Sequence, residues 1–583
     1  MTEIDIVHDT PLIPAATALE TFRDAGYKST ASALAELIDN SIEAGSENIQ
    51  VLTFESVIQG ASRRVTRITK VAVYDDGNGM DIDTLQMSLQ FGVGTRMTSR
   101  EGMGRFGIGL PNASVSQCRR VEVFSWQKGK CYSTYLDVDE TKEHKKQNAN
   151  PVVECEMPLS ILNQIEGEYD SDSGTLVLWD KCDRLDISRS TTLHRNMEKV
   201  LCRIYRHYLD NDNSYGHKVN VKLIAVGKDR VIHSLKANDP MYLLTPNNVP
   251  GYENEATNIP HGTVKLKIPY NEDGDTSVVE MRFSIVLPEI QQNEGGTGGI
   301  GQKHYANNTG ISFVRACREI DFSDFGFFNS LEEVQRWWGC EIRFSPILDD
   351  LFGVTNNKQS VRGMKKLDEK EFKEEHGEHW EDEFKHDLKL GLRHQLSKAF
   401  AKNHKTIMDI IKARNKGTRG GGNSIPKSTK VANEVLADSN KPTKTQIESA
   451  GKTEDEMTRE WAEKLELEGT SLSPEELVKL AEEKTGLTID IEFSSWPGEQ
   501  FFSIEARGAT SVVIINKKHP FYTELYEPLS KDDPKLTDAI DLMMMAYSRT
   551  EEELYSYEDE LEKIRSSWGG HLQDFLKALK KHA

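Results

Sequence analysis

Ala35-Glu36-Leu37-Ile38-Asp39-Asn40-Ser41-Ile42-Glu43-Ala44-Gly45 reads as the second half of an amphipathic helix. Ser29 or Thr30 can cap its start, Leu34, Ile38 and Ile42 recur at i, i+4 and i+8, and Gly45 follows as a stop. Glu36, Asn40 and Glu43 then share another face, so a carboxylate and a neutral amide oxygen stand one turn apart. Alone, such a pair is most often solvated surface.

Three further segments change that reading. Val71-Ala72-Val73-Tyr74 is a short strand ending in Asp75-Asp76-Gly77-Asn78-Gly79-Met80, which delivers a carboxylate into a turn whose glycines let another group approach the backbone. Gly102-Met103-Gly104-Arg105-Phe106-Gly107-Ile108-Gly109 precedes a helix start at Pro111 to Val115, and backbone N–H groups at such a start attract phosphate. Ser173-Gly174-Thr175-Leu176-Val177-Leu178-Trp179 is a strand opening with a small hydroxyl residue.

In this order the four segments resemble the motifs of the GHKL ATPases: gyrase, the heat-shock chaperone of ninety kilodaltons, histidine kinases and MutL. Asn40 through Gly45 looks most like MutL, whereas Gly104 through Gly109 and Thr355-Asn356-Asn357-Lys358-Gln359 look most like MORC proteins. The implied fold class is α+β, with a GHKL (Bergerat) helix-on-sheet sandwich over residues 1–190. Strand runs at Val219–Leu223, Thr263–Lys267 and Met281–Leu287 assign a second α/β domain over 191–365, which resembles a transducer. A charged helical arm at 366–416, a Gly-rich linker at 417–429 and a small α+β domain at 430–583 complete the expected organisation.

The resemblance implies ATP and Mg²⁺. Glu36 would activate water in line with the γ-phosphate, and Asn40 would hold the ion, a hard cation that prefers oxygen ligands. Asp75 would accept from the adenine amino group, with Thr175 supporting it. Gly77, Gly79 and Met80 would form the wall against the base, and Gly102, Gly104, Arg105, Phe106, Gly107, Ile108 and Gly109 a lid over the phosphates. Lys358 sits where the family's transducer lysine reaches the γ-phosphate. Gly295-Gly296-Thr297-Gly298-Gly299-Ile300-Gly301-Gln302-Lys303 looks like a Walker loop, but Gln302 separates Gly301 from Lys303 and His304 follows, so it reads as a mobile loop.

Composition bounds the rest. No apolar run reaches the roughly 18 residues of a membrane span, and seven cysteines without a C-x-x-C pair fit reduced thiols, so a cytoplasmic protein without a membrane partner is expected. A net charge of -21 argues against coating nucleic acid over the whole surface. The basic track from Arg393 to Arg419 offers a local site for DNA, unless it pairs with the acidic stretch at 368–387 or with a partner chain. The family further implies a homodimeric ATP-gated clamp, in bacterial relatives within restriction-like or antiphage systems beside nuclease or helicase partners. A chaperone, an ATP-sensing scaffold and a histidine kinase are the competing classes; Glu36 favours hydrolysis over the last.

Overall fold

The computed structural model describes residues 14–59, 64–93, 107–210, 217–227, 230–271, 273–294, 299–354, 360–377, 380–414, 425–437, 442–467 and 473–582. The first sheet comprises β1 (Asn48–Gln59), β2 (Arg64–Asp75), β3 (Cys118–Gln127), β4 (Lys130–Asp137), β5 (Val153–Cys155), β6 (Ser173–Cys182), β7 (Asn220–Val226) and β8 (Val231–Ser234). Across the sheet they run 5-4-3-6-2-1-7-8. Every neighbouring pair is antiparallel except β1 and β7.

Alternation along β2 decides what each face meets. Val71 and Val73 join a core with Leu34, Ile38 and Ile42 of the Thr30–Glu43 helix and Leu193, Met197 and Leu201 of the Ser190–Ile204 helix. Ala72 and Tyr74 point to the other face, against Leu52, Trp126 and Leu176. Each buried aliphatic side chain is worth about 1.5–3 kcal/mol, so the apolar stripe of the motif helix clamps it to the sheet. The N-terminal unit is thus a helix-on-sheet sandwich. Its sheet extends past the expected end at 190, because the run at Val219–Leu223 pairs in parallel with β1 rather than with the second sheet. Strand propensity identifies such a run without naming its partner.

The second sheet contains β9 (Asn258–Pro269), β10 (Thr276–Val286), β11 (Ile311–Arg315), β12 (Arg318–Ser323) and β13 (Trp338–Phe344), ordered 12-11-13-10-9. The Leu388–Arg414 helix, expected as part of a charged arm, lays Leu392, Leu396, Phe400, Ile407 and Ile411 into the core of this sheet. Phe400 lies 5.7 Å from Trp338 and 6.0 Å from Phe283, ring to ring. The third sheet has β14 (Ile489–Ser494), β15 (Phe502–Arg507) and β16 (Thr510–Asn516), ordered 14-16-15, with the Pro534–Glu553 and Glu558–His582 helices beside it. Trp461, Leu465, Trp496, Val512 and Ile514 carry the second sheet's core into this C-terminal region. Among the described residues, no helix is long and apolar enough to cross a membrane.

Candidate active site

The motif helix starts where Ser29 Oγ accepts from the Ser32 N–H at 3.2 Å, and it stops at Ala44 before Gly45, whose φ is +78°. Glu36 is buried on it and Asn40, one turn on, is exposed. The Glu36 carboxylate meets the first residue of the Gly109–Val115 helix: a Cβ at Gly109 would lie 2.7 Å from Glu36 Oε2. Any side chain there would displace the carboxylate. Tyr27 lies near it; burial, then the charges of Glu36 and Asp39, push the phenol well above its usual pKa.

Asp75 ends β2 directly opposite Thr175 of β6, which brings together two residues a hundred positions apart in sequence. Its buried carboxylate accepts from Ser41 Oγ at 2.8 Å and from the Gly77 N–H at 3.1 Å. Burial pushes its pKa up to about 6, although those two hydrogen bonds oppose the rise. The neighbouring Asp76 does different work. It accepts from Ser46 Oγ at 2.6 Å and from the N–H groups of Glu47 and Asn48 at 2.9 and 2.8 Å, closing the turn after the motif helix. Thr175 Oγ1 lies 3.2 Å from Ser125 Oγ, which accepts from the Met80 N–H at 2.7 Å. Gly79 adopts φ +66°, and a Cβ on it would come within 2.3 Å of the Trp126 carbonyl oxygen, so only glycine fits that wall. Gly77 is confined less severely, a Cβ on it falling 2.9 Å from that of Ala44.

The structure therefore brings Glu36, Asp75, Gly77, Gly79, Met80, Gly109 and Thr175 around one end of the first sheet, with Asn40 on the same helix. Gly107 and Ile108 lead into the Gly109–Val115 helix. Gly102, Gly104, Arg105, Phe106 and Lys358 lie outside the described residues. Asn40 offers one neutral oxygen, and among the described residues no group of three or more His, Cys, Asp or Glu side chains is placed to hold a metal ion. That donor set fits Mg²⁺ carried largely by phosphate oxygens and water rather than by a protein cage.

Sequence reasoning missed the residues that hold these groups in place. Ser41, inside the quoted helix, ties Asp75 to the element carrying Glu36. Asp39, also on that helix, accepts from Arg318 Nε at 2.8 Å and from the Tyr205 hydroxyl at 2.7 Å, all three being buried. Arg318 opens β12, so the second sheet reaches into the motif helix three residues from Glu36. Burial would lower the Arg318 pKa; Asp39, Tyr205 and Glu36 together outweigh it. A buried ionic cluster reinforces the junction: Arg206 and Arg203, on the crossover into β7, bind Glu319 at 2.9 and 2.6 Å. Arg318 stands among the alternating apolar residues of a strand, but nothing local to it specifies Asp39.

Residues 27–169 match the family described as histidine kinase-, DNA gyrase B- and HSP90-like ATPase. No curated protein matches the chain. Among solved structures, the N-terminal domain of a DNA repair protein aligns at 13% identity and a TM-score of 0.37, covering 67% of this chain and 99% of that one.

Proposed function

We propose that this chain hydrolyses ATP with Mg²⁺, the adenine held at Asp75 and the attacking water at Glu36. The observation that carries the reading is that one helix positions both ends of such a site: Ser41 grips Asp75 while Glu36, about a turn and a half earlier, faces the start of the Gly109–Val115 helix. In this reading the Thr175 hydroxyl supports the adenine contact, Gly77 and Gly79 keep the wall thin, and residues 102–109 close over the phosphates. Asn40 would hold Mg²⁺, which supplies charge neutralisation between the phosphates. Glu36, already buried, would accept the proton of a water aligned with the γ-phosphate. Steady-state phosphate release by the purified chain, with and without Mg²⁺, tests it: no Mg²⁺-dependent turnover above background overturns hydrolysis and leaves an ATP-sensing scaffold.

The resemblance to MORC and MutL extends the reading to a homodimeric, ATP-gated clamp on DNA or DNA-processing partners, in a restriction-like or antiphage setting. Supporting the DNA side is an exposed basic face, Lys398, Lys402 and Lys405 at i, i+4 and i+7 of the Leu388–Arg414 helix. The flanking Arg393 and Arg414 donate instead to the carbonyls of Lys365 and Val286. Double-stranded DNA that binds in a salt-sensitive manner and stimulates turnover separates this clamp from a chaperone-like ATPase acting on protein clients.

Asp75→Asn tests the adenine assignment. The new amide can turn its NH₂ towards the adenine donor, and losing a hydrogen bond to a charged group costs about 1.5–3 kcal/mol, or roughly 10–150-fold in ATP affinity. The difference from the parent is expected to shrink below pH 6, where the Asp75 carboxyl takes up its proton and loses its charge. Calorimetric titration at pH 7.5 and pH 5 measures both; equal affinities for the two proteins at pH 7.5 would remove Asp75 from the adenine site.

A further inference from the structure

Two thiols meet at the edge of the first sheet. Cys131 of β4 lies directly opposite Cys155 of β5, and their Sγ atoms are 3.5 Å apart, both thiols being reduced. β5 is the outermost strand and three residues long, so Cys155 is half-buried between the exposed Glu154 and Glu156. Cys131 is only 4% exposed, in the core that holds Trp126. Residues opposite each other in an antiparallel pair have Cβ atoms about 4.5–5.5 Å apart, against about 3.5–4.5 Å across a disulfide. Bonding therefore asks for a shift of about 1 Å, which a short strand with one open edge can make.

Pairing across strands is not enough by itself. Cys118 of β3 also lies opposite Cys182 of β6, but those strands are interior to the sheet and both thiols are buried. Each turns to a carbonyl instead: Cys118 donates to Ser114 and Arg120 at 3.3 and 3.1 Å, and Cys182 to Trp179 at 3.7 Å. At the edge pair, burial and then the neighbouring Cys155 push the Cys131 thiol up to about 12. Access selects Cys155 as the sulfur an oxidant reaches, with Cys131 behind it. A thiol held in contact with its target needs no encounter, which offsets its reluctance to ionise.

We propose that Cys155 and Cys131 are a modification site that a peroxide converts reversibly to a disulfide. The Cys155 thiolate attacks one peroxide oxygen and breaks the O–O bond, leaving a sulfenic acid and a hydroxide that takes the thiol proton as water. The Cys131 sulfur then attacks the Cys155 sulfur, and its proton departs with the sulfenic hydroxyl as a second water. Two thiols and one peroxide become one disulfide and two waters, and a dithiol reverses the change. The bond closes residues 131–155 into a loop whose contacts reach two helices. Lys142 binds Glu20 at 2.7 Å and Gln147 accepts from the Ala15 N–H at 3.1 Å, both on the Ala15–Asp24 helix. On the Ile82–Ser88 helix, Gln86 donates to the Asn150 carbonyl at 2.9 Å and accepts from the Val152 N–H at 3.0 Å. Val152 is three residues from Cys155, so the Gln86 contact is the one the bond fastens.

The experiment takes the full chain, reduced and freed of thiol, and raises hydrogen peroxide until Cys317, also half-buried, is modified. Alkylation and mass spectrometry then map the cysteines. The expected main product joins Cys131 to Cys155, lighter by two hydrogens and reversed by dithiothreitol, with Cys118 and Cys182 unlinked. Cys131→Ser is expected to stop at a Cys155 sulfenic acid that dimedone traps, and Cys155→Ser to leave the buried Cys131 reduced. Amide exchange over residues 150–152 is expected to slow in the oxidised chain. Modified Cys317 with Cys131 and Cys155 still reduced overturns the proposal, as does a Cys118–Cys182 bond as the main product. A Cys131–Cys155 bond without slower exchange overturns the fastening of Gln86. None of these readouts depends on ATP turnover, so the proposal stands or falls apart from the hydrolytic reading.

Discussion

Glu36→Ala is expected to bind ATP within a few-fold of the parent and to release phosphate about 10²–10⁴ times more slowly, the range supplied by a positioned general base. The separation follows from where the contacts lie. Glu36 holds neither the Asp75 anchor nor the exposed Asn40, and its carboxylate faces the turn into the Gly109–Val115 helix, where the phosphates of a nucleotide bound at Asp75 would lie. Truncation leaves the helix intact, because its cap is at Ser29 and its apolar stripe is on the opposite side. Glu36→Gln keeps the volume and removes only the basic oxygen, so it should show the same loss of rate. Single-turnover phosphate release at saturating ATP, paired with calorimetric binding, reads both quantities. Turnover at the parental rate in either variant would take the base assignment away from Glu36.

The elements legible in the sequence were those specified by their own residues. The motif helix carries its cap, its stripe and its stop within seventeen residues, and β2 announces itself through β-branched residues ended by Asp-Gly. The pairing of Asp75 with Thr175 could be expected only through the family pattern, because it depends on β6 lying beside β2. Long-range partners were not legible at all. Asp39 looks like one more acidic residue on a polar helix face until Arg318, far along the chain, is placed against it. The Leu388–Arg414 helix was legible on one side only, for a related reason. Its lysines mark it as a charged helical arm, and Leu392, Leu396, Phe400, Ile407 and Ile411 bury its other side against the second sheet, with the long charged side chains reaching outward from its edges. Charge counts describe one side of such a helix and say little about the other.

Those long-range contacts bear directly on the second large expected effect. Lys358→Ala should slow hydrolysis about 10²–10³-fold, the loss seen when one charge-stabilising donor is removed from a transition state, while changing ATP affinity much less. Val354 and Val361, on either side of residues 355–359, form an antiparallel bridge, and the Val361 N–H donates to Asp321 Oδ2 at 3.1 Å. Asp321 lies on β12, three residues from the Arg318 that grips Asp39 beside Glu36. The root of the segment bearing Lys358 is therefore fastened to the strand that reaches the motif helix beside Glu36. Lys303, the rival from the Walker-like run, is fastened elsewhere. It ends the short Ile300–Lys303 helix, where a Cβ on Gly301 would lie 2.4 Å from the Trp337 ring, so that glycine serves packing in the second core rather than the approach of a phosphate. Lys303→Ala is accordingly expected to turn over ATP at the parental rate. Parallel measurement of kcat and of ATP affinity for the two variants decides between them, since an unchanged rate in Lys358→Ala with loss in Lys303→Ala would transfer the phosphate-facing charge to the Gly-rich run and require that run to leave Trp337 during the cycle.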